Sequence, residues 1–289
     1  MLYVPQAGQD FSAVTSFAAA PRPTTTANFG TSITPGTGAV YGTPSQVGND
    51  LTQDCYGIIM NVNNVFAAGN YRQLALELSV DYAGGTTWTP LLSNIVASQA
   101  NNYLNGGITY YFPVFIPAGS AVAVAGRSSA ATTFGVAIRY MSTPTNPAMV
   151  KRASFLESIG VTLGTGTVVG TNVTVGTTTE GGWTPLGQTT KRLWWWQVAC
   201  QHSDTTMTAF NYHVDLAVGD TNVVGDPKDI IMTDLYQRTT TSETFDNVPL
   251  MMGVEKVVPA GKYIFARVQN AGANENAGAF QVVAMGCGG

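Results

Sequence analysis

The residues best equipped for chemistry in this chain are few. Cys200, His202 and Asp204 alternate along one stretch, so a strand would project all three from one face, with His213 close by in sequence. Thiolate, imidazole and carboxylate are competent zinc ligands. A structural zinc site needs a fourth well-placed ligand, however, and the matching stretch of the chain's earlier half carries Asn64 and Phe66 with no such set. No bound metal and no cofactor are therefore expected. With His202 and His213 the only histidines, and no Gly-x-Ser-x-Gly elbow, a histidine-driven nucleophile has little to work with. Glu77 and Asp215 are the best carboxylate pair for glycoside hydrolysis, but they occupy equivalent points of two separate repeats. A role within the fold, hydrogen bonding a neighbouring loop, is the expectation for both. The glycine-rich runs Gly36-Thr37-Gly38 and Gly164-Thr165-Gly166 lack the following Lys-Ser or Lys-Thr of a phosphate loop and read as strand connections. Trp194-Trp195-Trp196 sends Trp194 and Trp196 to one strand face and Trp195 to the other. One face is then core, and Trp195 is a candidate for meeting a partner subunit. A sugar platform is the alternative for these rings. The expectation from all of this is a non-enzymatic chain with no catalytic residues.

The elements that hold these residues read as strands. Leu74, Leu76, Leu78 and Val80 alternate with polar or small residues, as do Val122 and Val124, and Tyr212, Val214, Leu216 and Val218. Pro-Ala-Gly turns at 117–119 and 259–261 precede further strands. Short strands about 10 residues apart, separated by Gly, Asn and Thr, predict an all-β fold of antiparallel sandwich or jelly-roll type. Helical spacing is confined to Leu91–Ser98, its counterpart Asp229–Gln237, and Ala148–Ser158.

The chain also repeats itself. Gly36–Thr43 echoes Gly164–Thr171, Ile58–Val62 echoes Trp194–Val198, and Leu76–Val80 echoes Val214–Val218. Further on, Phe115–Gly119 echoes Val257–Gly261 and Phe134–Ile138 echoes Ala279–Val283, in the same order. These matches predict two tandem domains related by internal duplication: an arm at 1–30, a first sandwich at 31–142, a linker at 143–158 and a second sandwich at 159–289.

Composition narrows the setting. The 289 residues hold 13 basic and 17 acidic side chains, a net charge of −4, and charged residues make up 10% against about 25% in ordinary domains. No basic stripe is offered to nucleic acid. No long apolar run suggests a membrane span or an export signal. Cys55, Cys200 and Cys287 form no close pair, which fits free thiols made in a reducing compartment. The arm holds Leu2, Tyr3, Phe11 and Phe17, apolar anchors suited to docking on a neighbouring subunit.

The Trp-rich stretch 194–198, Tyr212–Gly219, Ile230-Ile231-Met232 and Val258–Gln269 together resemble β-sandwich modules in structural proteins of tailed bacteriophages. The earlier half keeps the pattern more loosely: Glu77 stands for Asp215, Asp81 for Gly219, and a shifted Arg127 for Arg267. The resemblance spans nearly the whole chain from residue 31 and carries over no functional residues. It implies a virion component assembled in the host cytoplasm, foremost a capsid decoration or cement protein that binds itself, as a trimer for example, and other virion proteins. The alternatives are a double jelly-roll major capsid protein, or a tail-fibre adsorption module whose partner is a host glycan.

Overall fold

A computed structural model describes residues 13–17, 30–63, 71–72, 74–97, 99–100, 108–128, 133–142, 151–164, 167–202, 211–240, 244–246, 253–270 and 280–289. Among these residues every regular element is a β-strand. The first half carries β1 (Ala13–Phe17), β2 (Thr31–Ile33), β3 (Gly36–Thr37), β4 (Ser45–Gln46), β5 (Cys55–Asn63), β6 (Tyr71–Arg72), β7 (Leu74–Asp81), β8 (Thr89–Val96), β9 (Gln99–Ala100), β10 (Ile108–Phe112), β11 (Ala121–Ser128) and β12 (Phe134–Ser142). The second carries β13 (Phe155–Ile159), β14 (Thr162–Gly164), β15 (Thr167–Val169), β16 (Thr171–Asn172), β17 (Val175–Gly176), β18 (Thr184–Gln188), β19 (Leu193–His202), β20 (Asn211–Gly219), β21 (Asp229–Thr240), β22 (Thr244–Asp246), β23 (Val254–Val258), β24 (Tyr263–Asn270) and β25 (Phe280–Gly288).

Each half builds two facing sheets. In the first they run β1-β12-β5-β10, with β2 also on β12, and β3-β11-β7-β8, with β4 also on β11. In the second they run β13-β25-β19-β23, with β16 also on β25, and β17-β24-β20-β21-β22, with β18 also on β24. Apart from β22, the pairing in these sheets corresponds, down to the parallel contacts of β3 with β11 and of β17 with β24. Alternation explains the cores. Leu76, Leu78 and Val80 face Met60, Val62, Val136, Ile138 and Tyr140 in one, and Val214, Leu216 and Ile264 face Val198, Val282 and Ala284 in the other, all buried.

The ladders correct several expectations. Leu91–Ser98 and Asp229–Gln237 are not helical: their described residues lie in β8 and β21. Each strand is bulged, with a register shift against β7 or β20, and each holds one residue in the left-handed region, Asn94 (φ 61) and Asp234 (φ 53). One inserted residue breaks the two-residue period, so Leu91, Leu92, Ile95 and Val96 fall three or four apart, as on a helix. Within Ala148–Ser158, residues 155–158 belong to β13 and pair with β25, so the expected linker contributes an edge strand. The expected arm does likewise, since β1 pairs with β12. The repeat register also moves. Thr31 pairs with Val136 and Thr171 with Val282, so Gly30–Thr37 corresponds to Gly170–Thr177, and the Gly36 and Gly164 runs are not equivalent. Phe134 corresponds to Phe280, one residue from the sequence match; the unshifted match would turn outward-facing residues into the core.

The two halves share one core. Trp195, Ala199, Val283, Met285 and Cys287, on the outer face of the sheet holding β19 and β25, pack into the same apolar cluster as the first sandwich. Trp195 is 1% exposed and meets Tyr111 of β10 edge-on, ring centroids 5.6 Å apart. Glycines make room for both rings. A Cβ on Gly57 would lie 2.8 Å from the Tyr111 ring, and one on Gly253 would run into the Trp195 indole. Gln197 Nε2 donates to the Tyr111 carbonyl, Arg127 Nη2 to the Gly164 carbonyl (2.8 Å) and Ser158 Oγ to the Asn94 carbonyl (2.6 Å). Rings of this size bury about 150–250 Å² each, roughly 4–6 kcal/mol at about 25 cal/mol/Å². Gly253→Ala is therefore expected to destabilise the chain by about 1–3 kcal/mol through overpacking. Combined with Trp195→Ala, which alone costs about 3–5 kcal/mol, it should cost much less than the sum. Urea unfolding of the four proteins checks this, and strict additivity would show that the two residues do not share a site.

Candidate functional site

The outer face of the β17-β24-β20-β21 sheet gathers the densest set of chemically able side chains among the described residues. Asp215 on β20 lies directly across from Arg267 on β24. Arg267 Nε donates to Asp215 Oδ2 at 2.8 Å, and Asp215 Oδ1 accepts the Asp234 backbone N–H at 2.7 Å. The loop between β17 and β18 folds over this pair. It brings Glu180 into an ion pair with Arg267 Nη1 and lays Trp183 against the guanidinium, 4.4 Å from ring centre to Cζ. His213 Nδ1 is 3.5 Å from Asp234 Oδ1, and its ring meets Tyr236 edge-on at 5.9 Å.

Carboxylate oxygens of Glu180, Asp215 and Asp234 lie within 4.8 Å of one another. Loss of solvent and the facing Asp215 and Asp234 carboxylates push the Glu180 carboxyl above its ordinary value, against the pull of Arg267. The group is the set of oxygens that could hold a hard cation, although Arg267 already occupies it as a counter-charge.

The first sandwich carries a less charged version of the same arrangement. Gly42 corresponds to Gly181, each glycine closing its loop against the backbone of the preceding one, so Tyr41 stands where Glu180 does. The Tyr41 hydroxyl donates to Asn94 Oδ1 (2.8 Å) and accepts the Asn94 N–H (3.0 Å); burial pushes it up to about 12. Glu77, the counterpart of Asp215, accepts a hydrogen bond from Ser93 Oγ at 2.9 Å. Glu77 and Asp215 thus each bond the bulged neighbouring strand, where a neighbouring loop was expected.

The other sequence candidates are dispersed. Cys200 lies in the second core, where burial raises its thiol well above its ordinary value. The side chain of His202, and the whole of Asp204, fall outside the described residues. Trp194, Trp195 and Trp196 are 7%, 1% and 0% exposed, so they form no open sugar platform, and the interface Trp195 serves lies within the chain. Leu2, Tyr3 and Phe11 are outside the described residues, while Phe17 ends β1. Sequence reasoning missed Glu180, Trp183 and Asp234. Matching Gly30–Thr37 to Gly170–Thr177, with one residue fewer in the loop that follows in the second half, would have placed Glu180 opposite Tyr41.

No family model and no curated protein sequence matches this chain. Among solved structures it is similar to a peptide-N(4)-(N-acetyl-β-D-glucosaminyl) asparagine amidase, at TM-score 0.31 and 9% identity over 89% of this chain and 96% of that one. It is similar to cowpea mosaic virus naturally occurring empty particles at TM-score 0.33 and 10% identity, over 96% and 94% of the two chains. A T13 infectious bursal disease virus particle follows at TM-score 0.25 and 10% identity, over 89% and 67%. Viral particle proteins are thus among its structural neighbours, at a distance that transfers no activity. The expectation of a non-enzymatic chain is not borne out: the first of these similar structures is that of an amidase.

Two outcomes follow from the charges. Arg267→Ala strands the Asp215 carboxylate, only 4% exposed, and is expected to cost about 3–5 kcal/mol in denaturant unfolding, with partial recovery when Asp215→Asn is added. An unchanged midpoint would refute the pairing. Hydrogen bonds from Lys228 and Lys262 hold Asp220 down to about 2, from 3.8. Because the folded value is depressed, the stabilisation is present above the ordinary value and is lost as pH falls towards 2. Asp220→Asn should flatten melting temperature against pH across that acid window and not above it.

Proposed function

We propose that the chain is a structural protein of a virus particle, most specifically an oligomeric decoration or cement protein assembled in the host cytoplasm. The observation that supports this reading best is a pair of like sandwiches, joined through a buried aromatic contact, in a chain built with few charges. Charged residues are depleted where protein surfaces are buried by other proteins, because stranded charges lose their water. A chain with 10% charged residues therefore presents faces that neighbours can cover at little cost. The matching pairing of the main strands in both halves further supports duplication of one unit, with repeats running from β1 to β12 and from β13 to β25.

A second reading, a double jelly-roll shell protein, is favoured by the side-by-side fusion of the two sandwiches. Copy number separates the two. Quantitative mass spectrometry of purified particles would give shell stoichiometry for one and a substoichiometric or accessory count for the other, and absence from particles would sink both.

The arm is also open to test. A chain lacking residues 1–12 is expected to keep its melting temperature and lose attachment to particles. Removing residues 1–30 takes away strand β1 and should lower the melting temperature as well. Normal particle occupancy of both truncated chains would rule out a docking role for the amino-terminal segment.

A further inference from the structure

Basic residues are scattered along the sequence, but the fold brings two basic pairs together. Lys151-Arg152 leads into β13, and Lys191-Arg192 leads into β19. Strands β13 and β19 lie on opposite sides of β25, and the Ser154 N–H donates to the Gly288 carbonyl at 2.8 Å. The two pairs therefore flank the last residues of β25. A Cβ on Gly289 would run into the Arg152 carbonyl, and one on Gly288 into the Arg192 carbonyl. Lys151, Arg152, Lys191 and Arg192 are all exposed. Four of the chain's 13 basic residues thus share one small area, which makes it the place where a polyanion is drawn to this sparsely charged molecule.

Three of these cations are held against rings. Arg152 Cζ lies 4.2 Å from the ring centre of Phe115 and 5.5 Å from that of Tyr56. Lys191 Nζ lies 4.4 Å from Phe155, and Lys151 Nζ 5.7 Å from Trp194. Contact with a ring restricts a long side chain in advance, so less freedom is lost when an anion binds. Neutralisation is only partial. Lys151 is ion-paired with Glu255, and Glu157 of β13 accepts the Thr190 N–H at 2.8 Å. Among the described residues, Arg152, Lys191 and Arg192 form no ion pair, and residues 143–150, which precede Lys151, carry no charge.

Exposed cations on both sides of a strand end suit a partner that carries its negative charges in a row. The rings are taken up by cations, which leaves phosphates, not bases, to be recognised. The acidic end of another copy fits less well, because its carboxylates are already engaged: Asp54 accepts the Ala118 N–H (2.9 Å), and Asp81 those of Ala83 (2.8 Å) and Thr87 (2.7 Å). We propose that Arg152, Lys191 and Arg192, with Lys151 beside them, form a sequence-independent contact for the phosphate backbone of a nucleic acid. The contact goes beyond the assembly reading above and does not rest on it.

The test uses the full chain and labelled single-stranded oligonucleotides of unrelated sequence, read by fluorescence anisotropy. Each sequence is expected to bind equally, with affinity falling roughly 20-fold between about 50 and about 200 mM salt, the slope for three phosphate contacts. Arg192 is the one of the four with no ring contact among the described residues. Arg192→Gln should therefore keep the melting temperature, weaken binding and lower the salt slope by roughly 0.7–1. Changing Arg152, Lys191 and Arg192 together to Gln should abolish binding. Lys228→Gln removes the same charge from a lysine already paired with Asp220, and it should bind as the wild type does. No binding at low salt, wild-type affinity in the triple variant, or an equal loss in Lys228→Gln would overturn the proposal. If the triple variant does not fold, Arg192→Gln alone decides, and wild-type affinity and slope in it overturn the proposal. Polyglutamate that competes as well as the oligonucleotide, charge for charge, would assign the patch to an acidic protein and overturn it too. Absence of the chain from particles would sink the viral reading and leave this contact standing.

Discussion

At the centre of the junction between the two sandwiches is one aromatic contact, Trp195 set edge-on against Tyr111. An indole on the outer face of a sheet is a liability unless something covers it, and here the cover is the neighbouring sandwich. Each ring needs a glycine under it, and the glycines are exchanged between the halves: Gly57 sits beneath Tyr111 in the first, Gly253 beneath Trp195 in the second. By register Trp195 corresponds to Gly57 and Gly253 to Tyr111. One ring-and-glycine set therefore faces its own mirror in sequence, which lets two like sheets interlock where identical ones would collide.

The same logic of one frame with two fillings governs the bulges. A bulge with a left-handed residue leaves backbone groups to be satisfied and a strand to be held at a fixed offset. The first sandwich answers with neutral partners, the Tyr41 hydroxyl and the Asn94 amide. The second answers with Glu180, Asp234 and a buried Asp215, which are tolerable together because Arg267 lies among them. The first set holds one carboxylate, Glu77, bonded by Ser93, whereas the second gathers three around a single cation. Loss of one guanidinium thus matters more in the second half than any single loss in the first.

Much of the architecture was legible in the residues. The alternation at Leu74–Val80 and Tyr212–Val218, the two Pro-Ala-Gly turns and the correspondence of Glu77 with Asp215 all reflect local, periodic constraints, and the strands, turns and carboxylates lie where those constraints put them. What was not legible depends on irregularity or on distance. Asn94 and Asp234 each add a residue to a strand, and the resulting spacing imitates a helix. The Gly36 and Gly164 runs match by composition, while pairing with β12 and β25 selects a different alignment. Glu180 and Trp183 reach Arg267 only because a loop folds over the sheet, a contact across more than 80 residues that no periodicity announces. Trp195 was recognisable as a ring needing a partner; that the partner is in the same chain is a property of the tertiary fold.

All three thiols are sealed inside the protein, Cys55 and Cys287 in the shared core and Cys200 in the second. Burial lifts Cys55 to about 11 and the other two further, so the nucleophilic thiolate is scarce at neutral pH. Burial and the raised thiols both act against attack by oxidants and alkylating reagents. The chain can pass from a reducing cell to an oxidising exterior without changing its covalent structure, and any thiol engineered onto its surface becomes a unique address for a probe.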